Sequence, residues 1–161
     1  MIEKNKHVRK INLYKNYNIK KSDKGSIILI GSFDGLHLGH RKLFERAKSN
    51  GDELWVVVNN DFQRELKGSK EFMDENERLI IVSAIGIVDK ALISIDKDKT
   101  QCATLSDLAD KYSGNYTLYF ANGGDQNNDS IPEVPICRKK RIGLLDRLGD
   151  KIQSSSWLLK K

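Results

Sequence analysis

Residues 27–40 read IILIGSFDGLHLGH, and this stretch constrains the chain more than any other. Its opening aliphatic run, without alternation, suits a parallel strand buried on both faces. Gly31 then lets the backbone turn sharply and lets a ligand approach closely. Gly39 removes a side chain where a helix begins. A helix N-terminus there offers unpaired N–H groups and partial positive charge, which suits a phosphate. His37 and His40 lie three residues apart and can point to one side of the first helical turn. Two such imidazoles can donate hydrogen bonds to a polyphosphate, or they can simply cap the helix. The residues alone leave both readings open. The glycine spacing is G-x3-G-x3-G, which excludes the dinucleotide-binding fingerprint, and no Gly-Lys-Ser/Thr follows to make a Walker A loop. No nearby cysteine or third histidine completes a metal set with the pair, so no metal site is assigned.

The rest of the chain alternates. Strands are expected over 26–30, 54–58, 91–95, 116–121 and 141–145. Helices are expected over 39–50, with Gly51 as the C-terminal cap, over 74–85, opened by Asp74 and Glu77, and over 104–112 and 154–160. In the 74–85 helix, Leu79, Ile80, Val82 and Ala84 should face mostly inward. Residues 59–72 read as a long polar connection, and 131–140, with Pro132 and Pro135, as either a short helix or an irregular segment. This order predicts an α/β fold with a doubly wound parallel sheet. Ligands of such sheets bind outside the carboxyl ends of the strands, where the loops at 31–40, 59–70 and 122–128 converge.

Charge divides the chain unevenly. The formal net charge is +6, and residues 1–25 carry eight basic and two acidic residues. The remainder is balanced, so the body is not a polyelectrolyte-binding surface and nucleic acid is not the expected partner. Residues 1–25 are read as a basic N-terminal extension, either a solvated leader or an arm for an anionic partner, and 26–161 as one domain. Cys102 and Cys137 form no CxxC pair and no disulfide framework. No run approaches the length of a membrane helix, and no apolar leader core stands at the N-terminus, so a cytoplasmic setting is expected.

GSFDGLHLGH resembles the G-x-F-D-x-x-H-x-G-H signature of the HxGH nucleotidyltransferase superfamily. It is most similar to the cytidylyltransferase-like branch, which includes glycerol-3-phosphate cytidylyltransferases and the adenylyltransferase domain of ADP-heptose synthesis. VVVNNDFQRELKG, FMDENERLIIVSAIGIVDKALI, ANGGDQ and QSSSW resemble further motifs of that branch, in the same order. The resemblance implies a Rossmann-like single domain. It also implies transfer of a nucleotidyl group from ATP or CTP to a sugar- or polyol-phosphate, with release of pyrophosphate. By the same resemblance, Ser32, Phe33, His37 and His40 would hold the nucleotide phosphates, with Gly31 and Gly39 shaping the turn. Lys67 would reach the phosphates from the second loop, and His37, His40 and Lys67 would be the catalytic groups. Arg78 would hold phosphate or acceptor, Gly123 and Asp125 would lie by the nucleotide, and Ser154, Ser155 and Ser156 would bind its phosphates. A divalent cation, Mg2+, and a homodimer are implied as well. The chain departs from the pattern at Asn122, where the family often has lysine, and at Ser32, where heptose enzymes often have cysteine. The alternative function is a non-catalytic nucleotide-binding or interaction module on the same fold.

Overall fold

The computed structural model describes residues 9–11, 24–66, 68, 73–121, 131–146 and 148. In chain order the elements are β1 (Arg9–Ile11), β2 (Lys24–Gly31), α1 (Leu38–Lys48), β3 (Glu53–Val58), α2 (Asp61–Leu66) and α3 (Glu75–Ser83). They continue with β4 (Lys90–Ile93), α4 (Cys102–Tyr112), β5 (Tyr116–Ala121), α5 (Val134–Lys140) and β6 (Gly143–Asp146). Among the described residues the strands form one six-stranded sheet, ordered β1-β6-β5-β2-β3-β4. Strands β2 to β6 pair in parallel, and β1 runs antiparallel along β6 with Lys10 opposite Leu145.

The aliphatic runs are buried because helices cover both faces of the sheet. Ile27, Leu29, Val56 and Val58 pack with Phe44 and Ala47 of α1 and Val82 of α3. Ile28, Trp55, Val57, Leu118 and Phe120 pack on the other face with Leu105, Leu108 and Ala109 of α4 and Cys137 of α5. A strand covered on both sides has no polar face to alternate with, which is why β2 and β3 read as unbroken apolar runs. From β2 the chain steps outward through β3 and β4, then returns to β5 on the other side of β2. The order reverses at β2, and a crevice belongs at the carboxyl ends of β2 and β5.

Several expectations change. Residues 59–72 are not one connection: α2 lies within them. Asn60 caps it, accepting the Gln63 N–H at 2.8 Å, and the buried side chains of α2 are Gln63 and Arg64. Gly51 does not cap α1; Ser49 does, in ordinary helical geometry. A Cβ at Gly51 would lie 2.8 Å from the Gly25 carbonyl and 2.9 Å from Ile27 Cγ1, so close approach to β2 is what requires glycine there. In α3, Val82 and Leu79 pack on the core as expected and Arg78, four residues before Val82, is buried with them, while Ile80 is 67% exposed and Ala84 is exposed too. The ambiguous 131–140 segment holds the short α5, with Pro135 in its first turn where its missing N–H costs nothing. Strand β4 ends at Ile93; the Ser94 N–H still donates to Val58 O at 2.9 Å, and the Ser94 and Asp96 side chains enter a buried polar network. Three residues of the basic N-terminal stretch, β1, join the sheet edge. The expected helix over 154–160 lies outside the described residues.

Candidate functional site

The loop after β2 is shaped by one aromatic ring. Phe33 adopts φ of 50°, a left-handed conformation that costs an L-residue about 1–2 kcal/mol. The cost is offset by burial: Phe33 is 6% exposed and meets Phe44 edge-on at 5.3 Å and His40 at 5.6 Å between ring centroids. A Cβ at Gly31 would lie 2.9 Å from the tip of this ring, so the glycine is required by the folded-back phenylalanine.

The histidines cap α1, and they do so reciprocally. His37 Nδ1 accepts the Gly39 N–H at 3.1 Å, and His40 Nδ1 accepts the His37 N–H at 3.3 Å. This is a capping box with imidazoles in place of the usual serine and glutamate. Their rings stack with centroids 4.0 Å apart and a tilt of 35°. An Nδ1 that accepts a hydrogen bond carries no proton, so each neutral ring carries its proton on Nε2, the atom on the far side from the helix backbone. Capping thus uses Nδ1 of each ring, and His37 Nε2 is itself buried.

Beneath the loop lies a cage of buried charge. Arg78 has no exposed surface. Its Nη1 donates to Ser32 O at 2.8 Å and Asn59 O at 2.7 Å, its Nε to Met73 O at 3.2 Å, and its Nη2 to Asp61 Oδ1 at 2.7 Å. Four of the five guanidinium hydrogens are thus directed at this protein's own oxygens. Arg78, which the resemblance gives as a phosphate or acceptor contact, lies under the loop and ties the ends of β2 and β3 to the start of α3. Arg64, 1% exposed, donates to Asp34 Oδ2 at 3.4 Å and to Met73 O, and lies 3.2 Å from Asp61 Oδ1. Asp34 also accepts the Met73 N–H at 3.1 Å, so its carboxylate pins the first loop to the segment before α3. Asn59 donates its N–H to Gly31 O at 2.8 Å and its Nδ2 to Ser32 Oγ at 3.4 Å.

The fold thus brings together Gly31, Ser32, Phe33, His37, Gly39 and His40, with Arg78 behind them. Lys67, Gly123, Asp125, Ser154, Ser155 and Ser156 lie outside the described residues. Asn59, Asp61 and Arg64 were not singled out from sequence as partners of the site. Only the neighbouring Asn59-Asn60-Asp61 run, a helix-start signal after a strand, hinted at them. No group of three His, Cys, Asp or Glu side chains suited to a metal ion occurs among the described residues. The two carboxylates at the loop, Asp34 and Asp61, already neutralise arginines. The described residues therefore do not fit a divalent cation held by protein carboxylates. Cys137 is buried, and burial pushes its thiol up to about 12, so it is not a nucleophile.

Residues 28–142 match the model of the family described as cytidylyltransferase-like. The chain belongs to that family. The HxGH nucleotidyltransferase resemblance carried by the loop and the later motifs is thereby confirmed, as is the Rossmann-like α/β fold. The chain is 37% identical over 137 residues to an FAD synthase of Thermoplasma acidophilum, covering 84% of this chain and 92% of that one. It is 44% identical over 72 residues to an FAD synthase of Methanosarcina barkeri, where the match spans 45% of this chain and about half of that protein, 51%. It is 34% identical over 111 residues to the bifunctional protein HldE of Koribacter versatilis, covering 66% of this chain and 23% of that protein. Among solved structures, a lipopolysaccharide core biosynthesis protein from Thermoplasma volcanium is similar with a TM-score of 0.52 at 30% identity, covering 66% of this chain and 80% of that one. Among the described residues, no helix is long and apolar enough to cross a membrane.

Proposed function

We propose that this cytidylyltransferase-like chain is a nucleotidyltransferase that joins the nucleotidyl group of ATP to a phosphorylated small molecule and releases pyrophosphate. The observation that carries the reading is the reciprocal histidine cap. It sets two imidazole rings 4.0 Å apart at a helix N-terminus, at the end of the strand where the sheet order reverses. Such rings suit the oxygens of a triphosphate.

The chemistry asks little of a base. The acceptor phosphate is largely ionised near neutral pH, its second pKa being about 6. One of its oxygens attacks the α-phosphorus in line, the bond from the α-phosphorus to the bridging oxygen breaks, and pyrophosphate leaves with that electron pair. Negative charge grows on nonbridging and leaving oxygens. In this proposal His37 and His40, with the Ser32 hydroxyl and the N–H of Phe33, donate to it. Lys67, Gly123, Asp125 and Ser154 to Ser156 complete the phosphate and nucleotide contacts in this proposal, from the resemblance alone. Arg78, Asp34 and Arg64 hold the loop in place. Mg2+ is proposed to arrive as the triphosphate complex, not in a site of protein carboxylates.

FMN is the acceptor favoured here. The relatives named FAD synthase make a product in which an adenylyl group is joined to FMN, and one of them matches over nearly its full length. Phe62 and Leu66, four apart on α2, also expose apolar surface on the helix that follows β3, which suits a ring system better than a bare sugar. A sugar- or polyol-phosphate is the second reading, supported by the similarity to HldE and to the lipopolysaccharide core protein. The test is pyrophosphate release from ATP and CTP, each with FMN, glycerol 3-phosphate and heptose 1-phosphate, with the product identified by mass. ATP-dependent formation of FAD supports the first reading. Turnover only with a sugar- or polyol-phosphate selects the second. Nucleotide binding without turnover on the whole panel would leave a non-catalytic module.

A further inference from the structure

We infer that Gln101 is a positioning residue coupled, through Asn59, to the direction in which the Ser32 hydroxyl offers its hydrogen. The inference rests on the proposed role of Ser32 as a phosphate contact, and it extends the site to the start of α4.

Gln101 directly precedes α4 and is 6% exposed. Its N–H donates to Glu133 Oε1 at 3.0 Å, which fixes its backbone. Its Nε2 donates to Asn59 Oδ1 at 3.1 Å. Asn59 is buried too, and its backbone is held on both sides, by Gly31 O and by Arg78 Nη1. What remains to Asn59 is the orientation of its carboxamide, which has one accepting end and one donating end. With the oxygen turned to Gln101, the Nδ2 donor faces Ser32 Oγ. The hydroxyl oxygen then accepts, and its own hydrogen is directed elsewhere, onto a ligand. A phosphate oxygen only accepts, so this polarity is the one that binds it.

The reversed relay would do the opposite. Asn59 Nδ2 would donate to Gln101 Oε1, and Asn59 Oδ1 would take the Ser32 hydrogen, leaving only lone pairs toward a phosphate. The protein does not lock the choice by itself. In the observed arrangement Gln101 Oε1 is buried and accepts no hydrogen bond among the described residues. In the reversed one Nε2 would be the unmet end. With one end unsatisfied either way, the two arrangements lie close in free energy, and a bound phosphate selects the productive one.

The experiment is a double-mutant cycle on Ser32 and Gln101, read as ATP affinity by calorimetry, as kcat and KM for the acceptor giving turnover, and as Tm. Gln101→Glu accepts from Asn59 but cannot donate to it, so it forces the reversed relay. It should weaken ATP binding by about tenfold or more, the scale of one hydrogen bond to a charged group. Ser32→Ala should do the same, and the double variant should be no worse than Ser32→Ala alone. A glutamate acting merely as a nearby negative charge would repeat its loss in the Ser32→Ala background, and that result overturns the relay. Gln101→Met leaves Asn59 free to follow the phosphate. It should cost only a few-fold with Ser32 present and nothing with alanine there, and it replaces Gln101→Glu if the glutamate variant does not fold. Equal ATP affinity in wild type and in the Gln101 variants would also overturn the relay. Unchanged affinity in Ser32→Ala would instead remove the underlying phosphate contact, so the two failures are distinguishable.

Discussion

At the carboxyl ends of β2 and β3, Arg64 and Arg78 are enclosed and directed at carbonyls and carboxylates of three segments of chain. At the amino ends of the same strands, the ion pairs are direct but partly solvated: Lys24 lies 3.6 Å from Glu53, and Lys48 2.6 Å from Asp89. A buried guanidinium has no water to fall back on, so each of its partners is committed, and the backbone that carries them is committed with it. An exposed ammonium exchanges protein for water at little cost. The end with enclosed charge is the end that carries the candidate site. In the proposed function, the loop that holds donors against a polyphosphate is built on the end with enclosed charge.

This contrast is breakable. Arg78→Met should lower the unfolding free energy by roughly 3–5 kcal/mol, because the carbonyls of Ser32, Asn59 and Met73 lose their donor and Asp61 loses a cation. Lys24→Met should change it by less than about 1 kcal/mol. Denaturant titration of both decides it, and losses of similar size would erase the difference between the two ends. His40→Ala should reduce turnover by about 10²–10³, by analogy with the loss of one oxyanion donor. It should cost only about 0.5–2 kcal/mol of stability, the scale of a lost cap. Turnover at the wild-type rate would detach the histidines from the chemistry. Gly51→Ala tests whether the amino end, loose in charge, is nonetheless tight in packing. Its Cβ would press on the Gly25 carbonyl, so thermal melts should report a loss of about 1–3 kcal/mol.

The smallest effect concerns pH. Burial pushes the Asp89 carboxyl up, but the hydrogen bond from Lys48, the Leu54 N–H and the charges of Lys48 and Lys24 outweigh it, holding it below the ordinary carboxylate range. A carboxylate with a lowered folded pKa adds stability above its unfolded value of about 3.9 and loses it as pH falls through the folded value. Asp89→Asn should therefore flatten the stability profile only below about pH 4. At higher pH it should cost less than about 1 kcal/mol, since the pair is partly solvated. A steep difference between wild type and variant near neutral pH would contradict this assignment.

What could be read in the sequence followed the apolar residues. The runs in β2 and β3 announced a doubly covered sheet, and Asp74 announced α3, whose cap accepts the Glu77 N–H at 2.8 Å. What could not be read was wherever the inward face is polar. α2 buries Gln63 and Arg64, so a search for apolar periodicity sees no helix there. α3 keeps Val82 and Leu79 inward but adds the buried Arg78 there and leaves Ile80 outside. Gly51 has the position of a cap but the surroundings of a packing contact. The histidine pair was visible as a pair, but whether it capped the helix or faced a ligand could not be decided from spacing. That depends on which ring nitrogen meets the backbone, a property of φ and ψ at His37 and not of residue type.

The pairing of β1 with β6 sets an order of events during synthesis. β2 and β3 are adjacent in the chain and can meet as soon as α1 has emerged, whereas Arg9–Ile11 cannot pair until Gly143–Asp146 has left the ribosome. Closing so long a loop is slow, and until it closes the outer edge of the sheet stays unpaired. A chain stopped before residue 143 would carry both an unpaired early strand and a bare β5 edge, the kind of surface that chaperones and aggregation compete for. The last described strand to be made is thus what pairs the first.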